Sequence, residues 1–129
     1  MVATPIGNLR DLSFRALDIL NEVDLILCED TRKSRILFNE FNIMTKYDSL
    51  HEFTSFKNIE KYVSFLEEGN SIALISDAGT PLISDPGFEI VKIAKEKNIF
   101  VNPLPGPSSV ISALVGSGLK IDKFIFEGF

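Results

Sequence analysis

The sequence has one cysteine, one histidine and no tryptophan among its 129 residues. A lone thiol, Cys28, closes no internal disulfide, and one Cys with one His falls short of the donor set of a zinc site, so no metal is expected. No apolar run approaches the roughly 20 residues needed to cross a bilayer. The start, Met1-Val2-Ala3-Thr4-Pro5, has no basic stretch leading into an apolar one, so no signal peptide is read there. A reducing, cytoplasmic setting without a membrane is the expectation. Gly-Lys-Thr and Gly-Lys-Ser phosphate loops are absent. Where a dinucleotide fingerprint would place three glycines, Thr4-Pro5-Ile6-Gly7-Asn8-Leu9 offers one. A pyrophosphate-bearing ligand therefore has little support. Positive charge is also short: 13 Lys and Arg against 18 Asp and Glu give a net charge of -5. That balance supplies no general attraction to nucleic acid.

What is present suits a single globular domain, with 45% hydrophobic and 24% charged residues. Eleven phenylalanines against two tyrosines favour burial, because Phe brings no polar atom that needs a partner. Short apolar runs alternate with helical periodicity, the pattern of a parallel sheet covered on both faces. Strands are expected at Met1 to Thr4, Val23 to Cys28, Tyr47 to Leu50, Ser71 to Ser76 and Ile99 to Leu104. Between them, a helix capped by Asp11 or Ser13 presents Phe14, Leu17 and Leu20 on one face, and another carries Ile36, Leu37 and Phe41. A third runs from about Ser55 to Glu68 and is closed by Gly69. Asp85 followed by Pro86 reads as the start of a fourth. A short apolar helix ends near Val115, broken by Gly116-Ser117-Gly118. The architecture is an α/β fold with an open five-stranded parallel sheet and helices on both faces.

In such sheets ligands bind beyond the carboxyl ends of the strands. Three loops there are rich in Gly and Pro and poor in long side chains: Thr4 to Asn8, Asp77 to Gly87, and Pro105 to Ser109. Glycine lets the backbone approach a ligand, proline fixes its path, and free helix amides supply donors. A small zwitterionic nucleoside without phosphate, such as S-adenosylmethionine, is compatible with loops of this kind. Glu29 and Asp30 sit at a strand end, where carboxylates can act as bases or can cap the next helix. Arg32, Lys33 and Arg35 can meet phosphates or form a solvated face. His51, beside Glu52, is a candidate base or a surface imidazole.

Four stretches, taken in order, resemble the ribosomal-RNA 2'-O-methyltransferase branch of the tetrapyrrole methylase family. They are Val2 to Leu9, Glu29 to Arg32, Ser76 to Gly87, and Pro103 to Ser109; the final Phe124-Ile125-Phe126-Glu127-Gly128-Phe129 resembles that family's passage into a second domain. The resemblance implies that residues 1–122 form the first domain of the tetrapyrrole methylase fold, and that 123–129 begin the link to a second, mixed α/β domain. It also implies a homodimer of the longer protein and S-adenosylmethionine in the cleft between domains. The cofactor-loop positions are Pro5, Asp77, Ala78, Gly79, Thr80, Pro81, Ser108 and Ser109. Glu29, Asp30 and His51 fall at substrate-facing positions suited to catalysis, with Asn8 and Arg32 as substrate contacts. The implied substrate is a cytidine ribose in the decoding region of 16S rRNA within the small ribosomal subunit. Methylation of a tetrapyrrole carbon and a noncatalytic nucleotide-binding role are the alternatives. Basic RNA-binding surface then belongs to the second domain or to the dimer cleft, and these residues alone are expected to bind the cofactor weakly without useful turnover.

Overall fold

A computed structural model describes residues 1–128 of the chain. Its regular elements are α1 (Phe14–Glu22), β1 (Leu25–Cys28), α2 (Thr31–Glu40), β2 (Tyr47–Ser49), α3 (Phe56–Glu67), β3 (Ile72–Ile75), α4 (Phe88–Glu96) and α5 (Ser109–Gly116). A 3-10 turn at Leu9–Asp11 precedes α1. The three strands form a parallel sheet in the order β2-β1-β3, with Ile26 opposite both Tyr47 and Ala73.

The first and last expected strands lie in the sheet without completing ladders. Val2 donates its amide to the Leu74 carbonyl at 2.9 Å and bridges Leu104 in the parallel sense, so Met1 to Thr4 runs between β3 and the Leu104 segment. Both segments meet prolines, Pro5 in one and Pro103 and Pro105 in the other. Proline has no N–H to give a ladder, so pairing there is limited to single bridges.

The pleat divides the core. Ile26 and Cys28 of β1, with Ala73 and Ile75 of β3, pack against Ala16 and Leu20 of α1 and Leu37 and Phe38 of α2. Leu27 and Leu74 point to the other face, against Ile59, Tyr62 and Val63 of α3 and Ile90 of α4. Period-2 strands between 3.6-period helices thus give the expected two-sided cover. At the amino ends of the strands, the Asp24 carboxylate accepts the Ser71 amide at 2.8 Å and hydroxyl at 2.7 Å, fixing the start of β1 beside β3.

Capping explains most helix starts. Ser13, Asp30, Ser55 and Ser108 each accept a backbone amide of the first turn they precede. Gly69, at φ +90°, closes α3 in the left-handed region. The expected Asp85 cap is corrected by the structure: α4 begins at Phe88 behind Gly87, which sits at φ +118° and makes no side-chain cap. Asp85 instead lines a cavity together with Glu29 and His51. Phe14 departs from the inward face it was expected to share with Leu20: it is 89% exposed, whereas Leu20 is fully buried. Phe14 is the first helical residue, and the buried face of α1 is carried by Ala16 and Leu20.

Beyond α5 no regular element occurs through Gly128; Phe129 lies outside the described residues. Among the described residues no helix is long and apolar enough to cross a membrane, and no group of three His, Cys, Asp or Glu side chains is placed to hold a metal ion.

Candidate functional site

The three Gly- and Pro-containing loops converge. Thr4 and Gly79 exchange two backbone hydrogen bonds, at 2.9 and 3.0 Å. The Thr4 hydroxyl donates to the Ser76 carbonyl at 3.1 Å, and the Thr80 hydroxyl donates to the Pro107 carbonyl at 3.2 Å. Gly79 is the meeting point: a Cβ built on it would lie 3.4 Å from Ile6 of the first loop and 3.8 Å from the Pro107 carbonyl oxygen of the third. Its φ of +86° adds a conformational reason for glycine. Pro5, Gly79 and Pro81 are buried beneath this junction, while Ala78 and Thr80 are exposed on it. Ser108 caps α5 through the Ile111 amide, and Ser109 is the exposed first residue of that helix.

The loop after β3 is held in an uncommon backbone. Leu82 at φ +73° and Ser84 at φ +63° occupy left-handed conformations between Gly79 and Gly87. Such conformations persist only where the surroundings enforce them, and they concentrate at binding loops.

Beside the junction, the ends of β1 and β3 are tied reciprocally. The Asp30 amide donates to Asp77 Oδ1 at 3.1 Å, and the Asp77 amide donates to Glu29 Oε2 at 3.4 Å. Lys33 of α2 adds its Nζ to Asp77 Oδ2 at 2.6 Å. The expected basic cluster is therefore largely matched within the chain. Arg32 makes a two-pronged contact with Asp30, at 3.0 and 2.7 Å, and Lys33 is paired with Asp77. Arg35 is exposed.

These contacts sort the candidate acid–base residues. The Asp30 carboxylate also caps α2, and its hydrogen bonds with Arg32 hold it far below the usual carboxylate range. A group so acidic takes up protons poorly. Glu29 moves the other way: burial raises its pKa, and the Asp77 charge adds to the effect. Asp85 is also raised, by burial and then by the charge of Asp77. Glu29, His51 and Asp85 share one open cavity of about 730 Å³ walled further by Leu50, Thr54 and Phe88. His51 is exposed there, its backbone amide bonded to the Thr54 hydroxyl at 2.9 Å. Asn8 is spent locally, its side-chain oxygen accepting the Arg10 amide at 3.0 Å.

The residue that sequence reading did not place in this cavity is Asp85, assigned there to a helix cap. The clue available was the proline after it, followed by a glycine better suited to the turn.

The sequence profile of the tetrapyrrole (corrin/porphyrin) methylases matches residues 1–126. Proteins called ribosomal RNA small subunit methyltransferase I are similar along all 129 residues. The one from Pseudomonas aeruginosa is 52% identical, with 46% of its length covered, and the one from Thermotoga maritima is 48% identical, with 58% covered. The chain thus spans about half the length of these curated relatives. Among solved structures, the uroporphyrin-III-C-methyltransferase of Thermus thermophilus superimposes with a TM-score of 0.65 at 18% identity, over 95% of this chain and 52% of that one. That likeness concerns the fold alone: a parallel sheet flanked by helices. The chain belongs to the tetrapyrrole methylases.

Proposed function

We propose that this chain is the first of two domains of an enzyme that transfers a methyl group from S-adenosylmethionine to the ribose 2'-oxygen of a cytidine in 16S rRNA. Support for the RNA substrate is the 52% identity, without truncation of this chain, to a protein named as a ribosomal RNA methyltransferase. Support for the donor is the junction of three loops at Gly79.

The residues at that junction fit an adenosyl donor. Ala78, Gly79, Thr80, Pro81, Pro5, Ser108 and Ser109 present backbone groups and hydroxyls but no cation, which suits a ligand without phosphate. The neighbouring carboxylates Glu29 and Asp85 suit a positively charged sulfonium. When bound, S-adenosylmethionine supplies an electrophilic methyl group. The chain's task is to orient the acceptor and exclude water, a largely entropic contribution.

The transfer forms a carbon–oxygen bond to the 2'-oxygen and breaks a carbon–sulfur bond, while the hydroxyl proton passes to a base. Glu29 and His51 share the cavity and are the candidates; Asp30, committed to Arg32, is the weakest of the three. A raised pKa improves Glu29 as an acceptor near neutral pH. Asn8 and the exposed Arg32 are assigned to the RNA side.

An apolar surface favours a second domain over this one. Ile111 and Val115 of α5 are 51% and 69% exposed, and Ile125 is 86% exposed. Ile111 and Val115, one turn apart on α5, form an exposed apolar stripe of a kind that is covered in a working protein. We assign that cover to the remaining length of the protein, residues 123–129 beginning the link, and the whole to a homodimer acting in the cytoplasm.

The experiment is methyl transfer from labelled S-adenosylmethionine to small ribosomal subunits by the longer protein, followed by nucleoside digestion. Label in 2'-O-methylcytidine is the expected result, and label in any other nucleoside contradicts the proposal. Alanine variants at Glu29, Asp30 and His51 in single turnover then identify the base: a near-normal rate in all three means that the base lies elsewhere or that none is needed.

A further inference from the structure

Two neighbouring cations at the start of α2 take different directions. Arg32 and Lys33 follow the Asp30 cap, and one residue turns a helix by about 100°. Arg32 folds back on Asp30, whereas Lys33 reaches across to the loop after β3, its Nζ 2.6 Å from Asp77 Oδ2.

Asp77 is in turn tied to Glu29. Its Oδ1 accepts the Asp30 amide at 3.1 Å, and its own amide donates to Glu29 Oε2 at 3.4 Å. Glu29 therefore stands beside the Asp77 charge, with that charge matched from the far side by Lys33.

The rest of the surroundings of Glu29 is acidic. Asp85 of the loop after β3, Glu52 of the loop after β2 and Glu89 of α4 line its cavity, with His51 as the imidazole. No Lys or Arg is found among the described residues that line it. Asp30, next in sequence, is paired with Arg32. Burial and the charges of Asp77 and Asp85 raise the Glu29 pKa, and the charge of Lys33 opposes them. A base held protonated at the working pH accepts nothing, so a cation on this side of the cavity has chemical value.

Resting on the methyltransferase reading above, we infer that Lys33 is a positioning residue for methyl transfer, which holds and compensates Asp77 and so keeps Glu29 available as the carboxylate that receives the 2'-hydroxyl proton. Lys33 acts through Asp77 and Glu29 and not on the reacting atoms. The proton goes to Glu29 as the 2'-oxygen bonds to the methyl carbon and the carbon–sulfur bond breaks.

The test is the pH profile of single-turnover methylation by the longer protein, with saturating small ribosomal subunits, for the wild type, Lys33→Met and Lys33→Arg. Lys33 is exposed, and the Asp30 amide still holds Asp77 without it, so the methionine variant is expected to fold. The rate falls on the acid side as Glu29 takes up a proton. Lys33→Met leaves Asp77 uncompensated and moves that fall to higher pH. On the acid limb its rate is expected about threefold below wild type, the scale of one screened charge, with the alkaline plateau retained. Lys33→Arg keeps the cation and is expected to restore the wild-type profile. A limb that stays in place in Lys33→Met, a uniform loss at every pH, or an arginine variant that matches the methionine one each overturns the inference.

Carboxyl titration of Glu29 by carbon-13 NMR separates this role from the identity of the substrate. In Lys33→Met it is expected to move to higher pH whether or not RNA is methylated, and an unmoved titration overturns the charge assignment. A wild-type protein that leaves RNA unlabelled refutes the proposed reaction instead, and the titration then decides the action of Lys33 on Glu29 by itself.

Discussion

Lys33 Nζ stands 2.6 Å from Asp77 Oδ2, and this contact joins the helix after β1 to the loop after β3. The two side chains are not equivalent. Lys33 is 66% exposed and Asp77 18%, and Asp77 also accepts the Asp30 amide at 3.1 Å. Asp77→Ala is expected to cost about 1–2 kcal/mol, because a partly buried amide loses its acceptor. Lys33→Met removes one exposed ionic partner and is expected to change stability little. Urea denaturation of both variants measures the difference, and equal losses would place the energy in the ion pair and not in the backbone tie.

Gly87 and Gly69 separate two reasons for glycine. Both have φ in the left-handed region, but a Cβ on Gly87 would fall 2.6 Å from Leu74 Cδ2, whereas one on Gly69 would meet nothing within 4 Å. Gly69→Ala is expected to cost about 1–2 kcal/mol from backbone strain alone. Gly87→Ala adds a core clash and is expected to cost about 2–4 kcal/mol. Equal denaturation midpoints for the two variants would contradict the close packing of Gly87 on β3.

How much of this was legible in the sequence follows from the range of each signal. Ser13, Asp30, Ser55 and Ser108 act on amides within one turn, so their caps are readable locally. The alternation Ile26-Leu27-Cys28 likewise announces a strand buried on both faces. Three loops at one edge follow from parallel topology. Lys33 and Asp77, in contrast, are 44 residues apart in sequence, and only the packing of α2 beside β3 brings them together. Asp85-Pro86 carries a helix-start signal, but Gly87 at φ +118° sets the turn and delays α4 to Phe88.

Glu29 makes stability depend on pH in a stated direction. Its pKa is higher in the folded chain than its ordinary value, through burial and the Asp77 charge. The folded state therefore binds the proton more tightly, and stability falls as pH rises from the ordinary glutamate value through the raised one. Glu29→Gln should exceed the wild type in thermal midpoint at neutral pH, with the gap closing in acid. A gap that widens on acidification would reverse the assigned shift.

Tyr62 tests the opposite face of the sheet. Its hydroxyl donates to Asp48 Oδ2 at 2.9 Å, the ring is 4% exposed, and burial with that hydrogen bond pushes its pKa up to about 12. Ultraviolet titration of the two tyrosines should show one ionising late, in step with unfolding. Stability is lost as pH climbs from the ordinary tyrosine range toward the raised value. Asp48→Asn should bring the late ionisation earlier, and two tyrosines titrating together in the wild type would contradict the contact.

The central claim is that the loops meeting at Gly79 belong to an RNA methyltransferase, although the family also contains enzymes acting on tetrapyrroles. The most direct measurement offers the longer protein small ribosomal subunits and a corrin precursor together, with labelled S-adenosylmethionine. The account predicts label in the RNA, as 2'-O-methylcytidine, and label in the corrin precursor would contradict it.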